Sequence, residues 1–197
     1  MEAQLITELM GLYQEIDGRT ATVQVVTGLY CPPGCGTCCS SRRVEATVLE
    51  TVPAARELFR RGEALRCLER LRAAGGEGIC VFCQPEGSAR GDGACGIYSV
   101  RPCLCRLFGF GAVTTKPGTP ELAVCAVMKE AMPRTVQEAA PAVKAGLPTL
   151  AFTDFAWRVA GLEPSLGGRL LPINRTLQLA LEREGLARKL ETGKEAV

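Results

Sequence analysis

The chain has 197 residues, 47% of them hydrophobic, which is enough for one domain with appendages and a core of ordinary size; only 5% are aromatic, so metal or covalent cross-links have rigidity to supply. The formal net charge of +2 counts every cysteine as neutral, an assumption that fails once thiolates bind metal, so the slight basicity does not point to nucleic acid. No histidine occurs, which removes Cys₂His₂ and Cys₃His zinc sites, Rieske centres and the usual Ser-His-Asp or Cys-His catalysis, yet eleven cysteines need a purpose.

Leu5, Leu9, Leu12 and Ile16 have the three-to-four spacing of a helix with one buried stripe over residues 3–16, and Asp17-Gly18 is predicted to end it. Residues 20–30 are rich in Thr and Val, which favours a strand, but Val23, Val26 and Tyr30 also fit one helical face. A helix is expected here, with Gly28 as terminator. Residues 31–39, Cys-Pro-Pro-Gly-Cys-Gly-Thr-Cys-Cys, then place four thiols in one short clamp. Pro32 and Pro33 stiffen its start, and Gly34 and Gly36 are free to take positive φ and wrap an ion. In extended backbone neighbouring side chains face opposite ways, so Cys38 and Cys39 are expected to serve different metals or different corners of one cluster.

Residues 44–49 suit a short strand, Thr51 a helix cap with Pro53 in the first turn, and residues 54–61 and 64–73 two helices parted at Gly62. Cys67 falls in the second as a small buried hydrophobe. Gly75, Gly76 and Gly78 break the pattern before Cys80 and Cys83, and residues 84–94 read as a surface loop. A second cysteine cluster follows: Cys95-Gly-Ile-Tyr98, then Arg101-Pro-Cys103-Leu-Cys105-Arg106. Tyr98 is expected to pack beside the centre, and Phe108-Gly109-Phe110-Gly111 to pack in the core. Lys116-Pro117-Gly118 is a predicted turn, and Cys125 follows a short apolar run. Beyond it come three predicted helices, 133–145, 149–159 and 174–190, the last capped by Asn174. Leu166-Gly167-Gly168 and the residues after Gly193 are expected to be mobile.

The expected fold is mainly α with short β segments, an irregular cysteine-rich metal-binding centre covered by helices. Residues 1–30 form an N-terminal helical segment, 31–131 the cysteine-cluster core and 132–197 a C-terminal helical cover. The N-terminus lacks the pattern of a signal peptide and no stretch approaches twenty apolar residues, so a cytoplasmic location and no membrane partner are expected. Thiols stay reduced there, which favours metal over disulfides.

With the clamp, Cys95-Gly-Ile-Tyr, Arg101-Pro-x-x-Cys105-Arg106 and Cys125 in hand, the chain resembles the YkgJ-type CxxCxxCC family of zinc- or iron-chelating domains with eight characteristic cysteines. The resemblance implies metal ligation by Cys31, Cys35, Cys38, Cys39, Cys80, Cys95, Cys105 and Cys125. Here the clamp opens C-x₃-C where the family often has C-x₂-C, and Cys67, Cys83 and Cys103 match no motif position, which leaves a ninth ligand or a redox role open.

A four-cysteine burst followed by single distant ligands is more like an iron–sulfur arrangement than paired zinc knuckles. With the resemblance, this favours one or more [4Fe–4S] clusters, with zinc as the alternative. Arg101 and Arg106 flank Cys105 and can offset thiolate charge, hold an anionic substrate or cofactor, or lock the turn on carbonyls and carboxylates. The favoured function is a structural, electron-transfer or metal-handling protein with an unidentified protein or redox partner and no nucleic acid. The alternative is an iron–sulfur enzyme whose substrate sits near Arg101 and Arg106, with Glu50 or Asp92 assisting with protons unless they are merely capping or surface carboxylates.

Overall fold

A computed structural model describes residues 2–32, 35–84, 95–115, 118–145, 147 and 150–194. Residues 85–94 of the predicted loop at 84–94, Lys116 and Pro117 of the predicted turn, and Thr149 lie outside the described residues. The first helix does not stop at Asp17-Gly18: α1 runs unbroken over Glu2–Thr27, because Thr20 and Val23 carry on the buried stripe of Leu9, Leu12, Tyr13 and Ile16. A helical glycine costs about 1 kcal/mol, too little to outweigh that burial. Termination comes at Gly28, whose φ of 72° is the left-handed value that a C-terminal glycine supplies.

After a 3₁₀ turn at Thr37–Ser40, β1 is only Glu45–Ala46, shorter than predicted, because the next helix starts early. Thr47, not Thr51, caps α2 (Val48–Arg61): its hydroxyl accepts from the Glu50 N–H while the Glu50 carboxylate accepts from the Thr47 N–H. Pro53 therefore stands inside the helix, beyond the first turn. Gly62, at φ 73°, turns the chain into α3 (Ala64–Ala73). Then come α4 (Cys103–Leu107), β2 (Gly111–Thr114), β3 (Pro120–Leu122), α5 (Ala126–Ala131) and α6 (Pro133–Lys144). Next are β4 (Leu150–Ala151), α7 (Phe152–Leu162), α8 (Pro164–Gly167), β5 (Leu171–Pro172) and α9 (Ile173–Lys194).

The architecture among the described residues is mainly helical with two small sheets. β1 pairs antiparallel with β5, Glu45 opposite Pro172; β2 pairs antiparallel with β3, Ala112 opposite Leu122, and parallel with β4, Gly111 opposite Leu150. Residues 150–151 were expected to be helical, but they close this sheet, so α7 begins at Phe152. The Leu166-Gly167-Gly168 segment is packed rather than loose: Gly167 is buried, and an added Cβ would fall 2.6 Å from the Val159 carbonyl oxygen.

Two hydrophobic clusters result. One unites Leu9, Tyr13 and Ile16 of α1 with Leu107, Met128, Leu150 and Phe155. The other unites Val52, Leu58, Leu71, Leu177 and Leu181 of α2, α3 and α9, and Ile6 packs against both. Asn174, predicted to cap the last helix, instead lies within the first turn of α9, buried. No helix among the described residues is long and apolar enough to cross a membrane.

Candidate metal centre

The clamp is shaped by its own backbone. The Cys35 N–H donates to the Pro32 carbonyl at 3.0 Å and the Cys39 N–H to the Gly36 carbonyl at 2.9 Å. Gly36 has φ −117°, so it does not use the left-handed freedom expected of it, while Pro33 and Gly34 lie outside the described residues. Cys38 and Cys39 sit in the 3₁₀ turn, not in extended backbone. Their sulfurs are consequently 4.0 Å apart instead of on opposite faces, which removes the geometric basis for expecting them to serve different metals.

Cys80 is delivered by the buried side chain of Asn174. Its Oδ1 accepts from the Val81 N–H at 2.9 Å, and its Nδ2 donates to the carbonyls of Ile79 at 2.9 Å and Glu77 at 3.2 Å. The asparagine thus clips the glycine-rich stretch onto α9. Cys83 and Cys95 face one another across an isolated antiparallel bridge.

Cys105 comes from α4, which Glu50 anchors. The Glu50 Oε1 accepts from the N–H of Cys103 at 3.0 Å, while Oε2 accepts from the Thr47 N–H at 2.8 Å and hydroxyl at 2.9 Å. One buried carboxylate therefore caps two helices, the capping role weighed against proton transfer in the sequence. Asp92 lies outside the described residues. Cys125 is the N-cap of α5, its sulfur accepting from the Met128 N–H at 3.4 Å.

These segments meet in one cavity of about 510 Å³. Cys31, Cys35, Cys38, Cys39, Cys80, Cys95, Cys105 and Cys125 all line it; Cys67, Cys83 and Cys103 do not. Cys67 and Cys103 are buried in the hydrophobic clusters. Apolar walls come from Phe82, Leu104, Met128 and Ile173, with Tyr98 and Phe108 partly exposed beside them. Among the described residues no three His, Cys, Asp or Glu side chains converge closely enough to hold a single ion, so the thiols are gathered without being closed on a point.

Burial dominates the electrostatics. It pushes the Cys31 thiol up to about 11, helped by Cys35, Cys38 and Cys125, and Cys80 up to about 12, helped by Cys95 and Cys83. Burial likewise raises Cys95 and Cys105. Cys38 is the exception: the hydrogen bond from Cys39 and nearby backbone N–H groups, with Arg101 behind them, hold it below the usual thiol range, while the same bond drives Cys39 up. The two thiols titrate as a pair, and the bond between them favours loss of the first proton.

The two arginines divide. Arg101 lines the cavity, its guanidinium stacked 3.7 Å from the Tyr98 ring centroid, with one nitrogen donating to the Tyr98 carbonyl at 2.8 Å and another reaching Asp17 at 3.4 Å. Arg106 is 3% exposed and does not line it. Its guanidinium donates to the Arg101 carbonyl at 2.8 Å, the Ser99 carbonyl at 2.5 Å and Asp17, and lies over the Tyr13 ring. That is the turn-locking arrangement, and it turns the Arg106 guanidinium to internal carbonyls and Asp17 rather than to the cavity.

A family model, the CxxCxxCC "putative zinc- or iron-chelating domain", matches residues 30–131, just over half the chain. The chain belongs to the CxxCxxCC family. The matched span contains the whole cysteine-lined cavity except for Ile173. No curated protein and no solved structure matches. For this CxxCxxCC protein the donor set fits the described chemistry: soft thiols suit zinc and iron–sulfur centres alike. Asn174 and Glu50 hold the donors' segments, a role that neither the metal-ligand motifs nor the cysteine spacing assigns to them. The signal for Glu50 was present as the capping-box pattern Thr47-Val-Leu-Glu50; nothing local marks Asn174.

Proposed function

We propose that this chain is a cysteine-ligated metalloprotein in which Cys31, Cys35, Cys38, Cys39, Cys80, Cys95, Cys105 and Cys125 hold iron–sulfur or zinc, with iron–sulfur favoured. The observation that carries the reading is the common cavity that these eight border and the other three do not. Its size and the spread of donors over five segments suit a bulky or multinuclear centre better than one closed zinc knuckle. When bound, an iron–sulfur centre supplies one-electron chemistry, and zinc a redox-inert cross-link. The chain's own part is to gather thiols, couple Cys38 and Cys39 through a shared hydrogen bond, and set Arg101 against the charge they accumulate.

A structural, electron-transfer or metal-handling role follows more readily than catalysis, because Arg106 and Glu50 are consumed by internal hydrogen bonds. A reducing cytoplasmic compartment suits free thiols, and the half-exposed Tyr98 and Phe108 give a protein or redox partner a point of approach. The test is anaerobic purification with elemental analysis and a visible spectrum. Brown protein with iron and sulfide is expected, a colourless one with about two zinc per chain would end the iron preference, and one with neither ends the reading. Cys39→Ser should lose metal while Cys67→Ser keeps it.

A further inference from the structure

Of the cysteines that do not border the cavity, Cys67 and Cys103 are buried, but Cys83 is half-exposed and stands opposite Cys95, which does border it. The flanking residues make the hydrogen bond of this bridge: the Gly96 N–H donates to the Phe82 carbonyl at 3.0 Å, while the Cys83 N–H turns away to the Cys80 carbonyl at 2.9 Å. Cys83 and Cys95 are therefore a non-hydrogen-bonded antiparallel pair, the closer kind, in which Cα atoms typically lie about 4.5 Å apart with side chains on one face. A disulfide needs Cα atoms about 4.4–6.8 Å apart, so the backbone has no distance to make up. The bridge is also held: Arg61 donates to the Gly96 carbonyl at 3.1 Å.

We propose that Cys83 and Cys95 are a redox pair whose disulfide withdraws Cys95 from the metal centre, making metal retention sensitive to oxidation. The proposal rests on the metal-binding reading above. One sulfur cannot keep both its place on the metal and a bond to Cys83. With a small-molecule disulfide as oxidant, the Cys83 thiolate attacks one of its sulfurs and expels a thiolate. The Cys95 thiolate, leaving the metal, then attacks the Cys83 sulfur of the mixed disulfide and expels the second. Two protein thiolates give up two electrons, and the small disulfide takes them and departs as two thiolates.

The experiment loads the full-length chain with metal anaerobically, measures its content, and exposes it to oxidised glutathione. Metal content and disulfide-linked peptides are then followed together, the latter by mass spectrometry. Wild type should lose metal in step with a Cys83–Cys95 linkage and regain it after dithiothreitol and fresh metal. Cys83→Ser should start with the same content and lose it about tenfold more slowly. The proposal is overturned by a linkage of Cys95 to Cys80 instead, by equal loss from Cys83→Ser, or by a Cys83→Ser chain that never loads, which would make Cys83 a ligand. Wild type that carries no metal at the outset sinks the underlying reading, whereas a loaded chain that forms no Cys83–Cys95 linkage sinks this proposal alone.

Discussion

Arg101 and Arg106 both reach Asp17, yet their replacement should have opposite signatures. Arg106 is almost wholly buried, and removing its guanidinium strands the Ser99 and Arg101 carbonyls and uncovers the Tyr13 ring. Losing several charge-assisted bonds in a buried site costs about 2–4 kcal/mol, so Arg106→Gln should unfold at clearly lower urea than the parent. Arg101 faces the cavity, and its positive charge favours ionisation of Cys38, Cys95 and Cys105. Arg101→Gln should leave the urea midpoint of the metal-free chain nearly unchanged but weaken metal retention roughly 10- to 100-fold, the usual effect of losing an outer partner of a metal site. Chelator competition and urea titration on both variants decide it; the reverse ranking would show that Arg106, not Arg101, serves the centre.

At the scale of elements, α1 carries an avoidable cost. Gly18 lies on its exposed face, and a Cβ added there meets nothing within 4 Å. Gly18→Ala should therefore stabilise by about 0.5–1 kcal/mol, raising the thermal midpoint by about 1–4 °C with metal content unchanged; a lower midpoint would mean the helix is broken there after all. The same residue shows what the sequence could and could not reveal. The apolar spacing from Leu5 to Ile16 was legible because burial repeats with the helical period, whereas Asp17-Gly18 imitates a stop that only the tertiary burial of Thr20 and Val23 overrides. Strands of two to four residues are too short to display alternation, so β2 to β4 left no trace. Asn174 looks like a cap because caps are local, but its partners are almost a hundred residues away. In the site, the family resemblance singled out the eight cysteines that border the cavity, while the turn that sets Cys38 beside Cys39 depends on hydrogen bonds no spacing encodes.

For the whole molecule, the cavity lies at a seam: Cys125 packs against the α1-centred cluster, and Cys95 and Phe82 against the cluster of α2, α3 and α9. A centre bound there joins the two cores, so chelation should lower the thermal midpoint of both together. The pH dependence then has two limbs of opposite sign. In the metal-free chain, thiols raised from the ordinary 9.0 favour the folded state only while protonated; their contribution is full below pH 9 and is lost as pH rises toward about 11 for Cys31 and Cys67 and about 12 for Cys80. Cys38, shifted downward, acts in the opposite sense, but it is one group against several. In the loaded chain metal must displace the protons of the cavity thiols, Cys31 and Cys80 among them, so their raised affinity for protons weakens metal binding and retention falls as pH drops. Melting loaded and chelated protein from about pH 5 to about pH 10 should show the two curves converging in acid and separating toward neutral and mild alkali. Two curves that coincide throughout would mean that no ion ties the cores together.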